Sequence, residues 1–412
     1  MARLIPVAAV AAAVAIVTAG CGSAGASGPG SADGAASVVP ANAVAFVAAS
    51  TDLTSPQWHA VTGLFLDRLQ AKDGLSWAND VRPALGGEVD VAVLSGKQVV
   101  AFTQPDDTAK LAALAARYDL QTRAIGDWTA VAKTAAALDA VASATSHLAD
   151  GKPFVDAMGR LPGGSIVRAY ADGSAASPGA TGFEWVAASL AATADGLKLE
   201  GFAHPAAGTS PPTAPYEPAL VDRIPSGTLA ALDFRAGGDG LSLLQKLLGS
   251  GSPLPKHLDT LLGGETALYV RAGLPIPEVT LVTEPADAAA ASQALDGLLG
   301  ALPKSGLLSG LEVHRAVVGG RLVVSTAQQG IDEYRSSGSK LSSDPSFLES
   351  KQQSGMPAEV SGFVYANVKE ALPLLQLAGV KLPPGLPQLS TFAAYGGTDG
   401  GDLTVTAFLG VG

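Results

Sequence analysis

The chain has 412 residues, of which 47% are hydrophobic, 5% aromatic and 15% charged, with a formal net charge of −11 and a single cysteine. That length predicts two or three domains of about 150 residues each. The acidic balance argues against nucleic acid and against adhesion to anionic lipid head groups, both themselves negative, and one cysteine excludes an internal disulfide or a thiolate metal site.

Residues 1–20 read MARLIPVAAVAAAVAIVTAG: one positive residue, Arg3, then an apolar run from Leu4 to Val17, then small residues up to Cys21. This is the three-part pattern of a secretory signal peptide, with an apolar run shorter than the roughly 20 residues a spanning helix uses. Thr18-Ala19-Gly20-Cys21 resembles the lipobox of bacterial lipoproteins, with Thr18 where Leu, Val or Ile is usual. That resemblance implies that the Cys21 thiol takes a diacylglyceryl group, becomes the first residue after cleavage and carries further acyl chains such as palmitate. Two or three chains on one residue give stable anchoring where one is marginal. The expectation is therefore an extracytoplasmic protein of the cell envelope, held to the cell membrane by its N-terminal lipid. Residues 21–37 are rich in Gly, Ser and Ala and offer almost nothing to bury, so they read as a flexible tether that lets the body ride on the order of 20 to 25 Å off the membrane.

Beyond the tether the chain matches itself in order. Pro40 to Ala45 opens one half and Pro225 to Ala230 the other; Leu85-Gly-Gly-Glu88 recurs as Leu262-Gly-Gly-Glu265, each before a strand-like run (VDVAVL, TALYVR). Thr103-Gln-Pro-Asp-Asp107 matches Thr283-Glu-Pro-Ala-Asp287, each closing a strand and opening an Ala-rich helix, with Pro105 and Pro285 suited to the first helical turn. Arg123-Ala-Ile matches Arg315-Ala-Val, Tyr170-Ala-Asp172 matches Tyr365-Ala-Asn367, and LKLEGF (197–202) matches LTVTAF (403–408). Colinear matches of this kind are what duplication with loop insertions produces. The segment 206–219 lies in a Pro-rich stretch without apolar period and reads as a semi-rigid linker. The predicted organisation is thus signal peptide 1–20, tether 21–37, first repeat 38–205, linker 206–219 and second repeat 220–412. Short alternating strands, helices with apolar residues at 3 to 4 spacing and tight Gly or Asp turns predict an α+β fold: two tandem duplicated domains, each a mainly antiparallel sheet covered by helices.

The opening VVPANAVAFVAASTDLTSPQW, with a helix expected near Gln57, the second opening IPSGTLAALDF, and the interleaved L-G-G-E and T-x-P-x-D segments resemble the DUF3352 family of bacterial, largely actinobacterial, proteins. The resemblance covers most of residues 38–412. It implies an exported or membrane-attached protein and brings no assigned activity or functional residue.

Chemistry-bearing patterns are few. His59, His147, His204, His257 and His314 are scattered without H-x-x-x-H or H-x-H spacing, so no metal ligands are expected. No G-x-S-x-G follows a strand and no phosphate loop is present; Gly237 to Gly240 follow no strand-to-helix context. The repeated Gly-Gly-Glu offers Glu88 and Glu265 as paired carboxylates or, beside a histidine, as hydrolytic groups. The simpler reading gives the glycines a positive φ between helix end and strand start, and puts each Glu at a solvated strand edge. Trp58, Trp77, Trp128 and Trp185 all fall in the first repeat, where they form half-buried core or line a groove for a carbohydrate or apolar ligand. The sequence therefore predicts no catalytic residue, no cofactor and no metal. It points to a binding or scaffold module of the envelope, with a carrier of an apolar or glycolipid ligand as the alternative, and with an unknown protein or a lipid or glycan as partner besides the membrane.

Overall fold

The computed structural model describes residues 34–54, 74–173, 182–209, 214–235, 258–273, 277–301, 312–377 and 388–411. The signal peptide, Cys21 and most of the tether lie outside them, as do Gln57, Trp58, His59, Gly237 to Gly240 and His257. The protein is α+β, and its strands pair antiparallel. Two compact units form, one from residues up to 209 together with 399–412, the other from 210–382 together with 389–398.

In the first unit β1 (Ala45–Ser50) lies between β2 (Glu88–Leu94) and β6 (Val167–Asp172). Beyond β2 come β3 (Gln98–Thr103), β5 (Trp128–Ala132) and β4 (Gln121–Ile125). Beyond β6 come β7 (Phe183–Thr193) and β8 (Gly196–Pro205), which give the order β4-β5-β3-β2-β1-β6-β7-β8. Helix α1 (Arg82–Leu85) precedes β2, α2 (Thr108–Arg117) follows β3, and α3 (Ala135–Ala142) and α4 (Lys152–Arg160) separate β5 from β6. Residues of period two on β1, β3 and β6 meet α3 and α4 in one apolar core. Phe154 of α4 stands edge-on to Phe46 and Tyr170, with ring centres 5.6 and 5.3 Å away.

The second unit runs β12 (His314–Val318), β13 (Arg321–Ser325), β11 (Glu278–Thr283), β10 (Glu265–Arg271), β9 (Thr228–Arg235), β14 (Gly362–Asn367) and β15 (Leu389–Asp399) in spatial order. Its helices are α5 (Leu258–Leu261), α6 (Ala288–Ala301), α7 (Gln328–Arg335), α8 (Pro345–Ser354) and α9 (Val368–Leu377). Phe347 of α8 fills the core here, 5.2 Å from Tyr365 and 5.7 Å from Phe363.

Several expectations change. The last strand, β16 (Asp402–Val411), belongs to the first unit, because it pairs with β8 from Leu403 opposite Ala203 to Gly410 opposite Gly196. The end of the expected tether is folded: Gly34–Ser37 form a 3-10 turn in which Ala35 and Ala36 are fully buried in the first unit's apolar core. Within the expected linker, Tyr216 is buried and exchanges two backbone hydrogen bonds with Val360, at 2.8 and 2.9 Å. Pro105 and Pro285 stand before their helices rather than in the first turn. Asp107 is the N-cap of α2, accepting from the N–H groups of Ala109 and Lys110, and Asp287 accepts from those of Ala289 and Ala290.

Candidate functional site

The Gly-Gly-Glu turns lead to the most unusual chemistry of the molecule. In the first unit Thr103 donates its hydroxyl to the carbonyl of Leu85, and in the second Thr283 donates to that of Leu261 at 2.6 Å, so the Thr of each T-x-P-x-D segment fixes the end of the short helix ahead of β2 or β10. Gly86 has φ +71°, as the turn requires, and a Cβ there would stand 1.9 Å from the carbonyl oxygen of Gln104. The glutamates that follow do not sit at a solvated edge. Glu265 is fully buried, and Glu88 is half-buried beside fully buried Asp90.

Each glutamate has a second carboxylate as neighbour. Asp90, two residues on from Glu88 and so on the same face of β2, accepts the Ala35 N–H on Oδ2 at 2.6 Å. A Cβ at Gly34 would stand 3.0 Å from Glu88 Oε1 and closer still to Asp90 Oδ2, so the two carboxylates lie side by side. Burial, then the charge of Glu88, pushes the Asp90 carboxyl well above the usual carboxylate range. In the second unit Glu265 accepts the Leu220 N–H on Oε1 at 2.6 Å. Asp233, on β9 and also fully buried, accepts the Tyr216 hydroxyl on Oδ1 at 2.5 Å and lies diagonally across from Glu265, which stands two residues before Ala267, the register partner of Asp233. Burial pushes Asp233 up to about 8; the Tyr216 bond opposes this and Glu265 adds to it. Arg235 places its guanidinium 4.2 Å from the Tyr216 ring centre and 3.6 Å from Glu265 Oε2. Burial likewise pushes the Tyr216 hydroxyl up, with Asp233 next in effect.

A second cluster crosses three strands of the first unit. Trp185 on β7 is paired in register with His204 on β8, and the rings stack with centres 5.4 Å apart. Asp402, at the start of β16, holds His204 Nδ1 at 2.7 Å on one oxygen and Arg160 Nε of α4 at 2.8 Å on the other. Arg160 also donates to the Asp399 carbonyl at 2.6 Å and lies over the Phe202 ring. The Asp402 side chain is 6% exposed and that of His204 42%, with His204 Nε2 3.8 Å from Glu184 Oε2. Both Asp402 oxygens are thus committed to joining β8, β16 and α4.

A third polar group lies under α7. A Cβ at Gly330 would come within 2.8 Å of Glu278 Oε1 and of Thr280 Oγ1, which itself pairs with Ser325 Oγ at 2.8 Å. Burial raises the Glu278 carboxyl, opposed by Arg271, and raises the Tyr269 hydroxyl.

The remaining sequence candidates scatter. His147 opens a 3-10 turn, its N–H donating to Asp150 at 3.1 Å, and His314 lies 3.9 Å from Glu312. Glu88 and Glu265 meet carboxylates, backbone N–H groups and Arg235 rather than histidine. Trp185 is buried in the core and Trp128 packs against it. Sequence reasoning missed Asp90, Asp233 and Asp402, although an Asp inside the strand-like runs VDVAVL and TLAALDF is a visible break in apolar pattern.

No family model and no curated protein matches the chain. Two crystal forms of the protein TP0453 do match, form III at 11% identity over 46% of this chain and 78% of that one, with a TM-score of 0.26, and form I at 9% identity over 73% and 97%, with a TM-score of 0.28. Likenesses of this size carry no argument about fold or function.

Proposed function

We propose that the chain is a lipid-anchored extracytoplasmic protein, a DUF3352-like duplication of one α+β plan, whose body works as a non-enzymatic binding module for another envelope protein. Anchoring is supported by Thr18-Ala19-Gly20-Cys21 and the Gly/Ser/Ala run behind it. Duplication is supported by the colinear segments and by the like order of strands, β4-β5-β3-β2-β1-β6-β7 in one unit and β12-β13-β11-β10-β9-β14-β15 in the other.

The observation that carries the binding reading is an apolar row on the second unit's sheet. Leu268 on β10, Leu232 on β9 and Val364 on β14 are paired in register, with Leu268 36% and Val364 38% exposed and Leu232 half-buried between them. Side chains standing about 4.8 Å apart on neighbouring strands form a flat apolar strip, which suits the surface of a second protein; exposed apolar clusters of this kind mark interaction sites.

Native mass spectrometry of the mature chain, extracted gently from its own envelope, tests both parts. A protein mass bound to the natural chain and lost from Leu268→Asp/Val364→Asp supports the reading. A co-purifying lipid or sugar with no protein overturns it in favour of a carrier. A Cys21 free of acyl mass removes the anchor.

A further inference from the structure

We propose that each unit keeps one proton between two neighbouring carboxylates, half-buried Glu88 with buried Asp90 and buried Asp233 with buried Glu265, and that this proton latches the segment entering the unit's first strand onto the sheet. The arrangement is the same at both places. A 3-10 turn just before β1, Gly34–Ser37, gives the Ala35 N–H to Asp90, and a 3-10 turn before β9, Leu220–Asp222, gives the Leu220 N–H to Glu265. Asp90 Oδ1, Asp233 Oδ2 and Glu265 Oε2 are shut off from water and receive no N–H or hydroxyl donor. Buried oxygens without a donor are costly, and a proton held between the two acids supplies the missing donor while halving their charge.

The surroundings offer little other compensation. Asp90 is paired with Ala48 and Phe102 on the flanking strands, and Arg168 lies one strand further, opposite Ala48. Asp233 is paired with Ala267 and Phe363; the ionisable groups around its pair are Tyr216, Arg235 and, toward Glu265, Tyr334 of α7. When the proton leaves for water, two neighbouring carboxylates are both charged, and in each pair at least one of them is fully buried. The repulsion is relieved by lifting the entry turn and admitting solvent. In the first unit that frees the residues joining the tether to β1. This last consequence rests on the anchoring reading; the latch itself does not.

The test is amide hydrogen exchange at Ala35 and Leu220 in the mature chain bearing Cys21→Ser, from about pH 6 to about pH 9.5, with the intrinsic pH dependence of exchange divided out. Release of one proton on opening predicts that Leu220 protection falls by up to about tenfold per pH unit from the low end of this range and levels off above about pH 8, where Asp233 is already ionised in the closed latch; Ala35 protection falls with rising pH as well. Asp233→Asn and Asp90→Asn supply a permanent N–H donor in place of the proton, so each flattens the pH dependence of its own unit only. Protection independent of pH in the natural chain, or unchanged pH dependence in the Asn variants, overturns the proposal. Infrared spectroscopy gives a second readout: the carbonyl band of a protonated carboxyl is present near neutral pH and diminished in each Asn variant.

Discussion

Asp90 stands directly opposite Ala48 across β1 and β2, and the matching pair of the second unit is reversed, with Asp233 opposite Ala267 across β9 and β10. Aligned on Gly-Gly-Glu, Ala267 holds the position of Asp90. The acid has changed strand while keeping its place in the sheet and its glutamate partner. An apolar core gains nothing from a buried carboxylate, since replacing such groups by apolar ones is often neutral or stabilising. That both units carry one, from opposite strands, argues that the place itself calls for an acid, which the turn N–H groups of Ala35 and Leu220, each needing a buried acceptor, explain.

The first consequence is an inverted pH dependence of stability. Asp233 binds its proton more tightly folded than unfolded, from an ordinary 3.8 up to about 8. Its contribution is therefore fully present below the unfolded value and is lost as pH rises toward about 8, by roughly 1.4 kcal/mol per pH unit at most. Urea unfolding is expected to show a midpoint that falls between about pH 6 and pH 8, with a shallower fall in Asp233→Asn. A midpoint rising over that window would remove the shared proton from the second unit.

The two glycines of Leu85-Gly-Gly-Glu88 are not equivalent. Gly86 combines φ +71° with a backbone oxygen where its Cβ would lie, whereas Gly87 has open space. Gly86→Ala is expected to cost at least about 2 kcal/mol and Gly87→Ala no more than about 1 kcal/mol. In the second unit the close approach moves to Gly264, whose Cβ would meet the Glu284 carbonyl oxygen at 1.9 Å, so Gly264→Ala ranks with Gly86→Ala. Thermal unfolding of the three variants settles the order.

Much of the fold was legible because its signals are local. Strands such as VDVAVL and the helices after T-x-P-x-D were visible as apolar period and turn residues, and the antiparallel pairing followed from tight turns. What stayed hidden depends on pairing at a distance. Ala35 and Ala36 look like tether, and it takes the apolar core they pack into and the Asp90 carboxylate, 55 residues on from Ala35, to make them part of the fold. Glu265 looks like the solvated start of a strand until Leu220 and Asp233 close over it. Asp402 lies in a Gly/Asp turn whose charges read as solvated, and its partners Arg160 and His204 are about 200 residues or more away.

Helix starts give a graded check. Asp107 caps α2 through the N–H groups of Ala109 and Lys110 at 3.0 and 3.1 Å, both exposed to solvent. Asp107→Ala is expected to cost about 1 kcal/mol and Asp107→Asn only a few tenths. Equal losses would mean that charge at the helix N-terminus, not the cap bond, supplies the stabilisation.

Asp402 is the sharper case. Its buried carboxylate ties three elements that the chain brings together late: His204 of β8, Arg160 of α4 and its own strand, β16. Removing it takes the acceptor from His204 Nδ1 and Arg160 Nε, but both side chains are partly exposed and Arg160 keeps Asp399, so the loss is about 1 to 2 kcal/mol. His204→Gln keeps a donor near Asp402 and gives up only the stack on Trp185, an effect of about 1 kcal/mol. Asp402→Ala is therefore expected to lower global stability and to free the C-terminal strand first, read as early proteolytic clipping after residue 399 while β1 to β3 stay protected. If clipping and global unfolding instead coincide, the strand is held by its ladder to β8 rather than by Asp402, and the carboxylate acts only on the His204 ring.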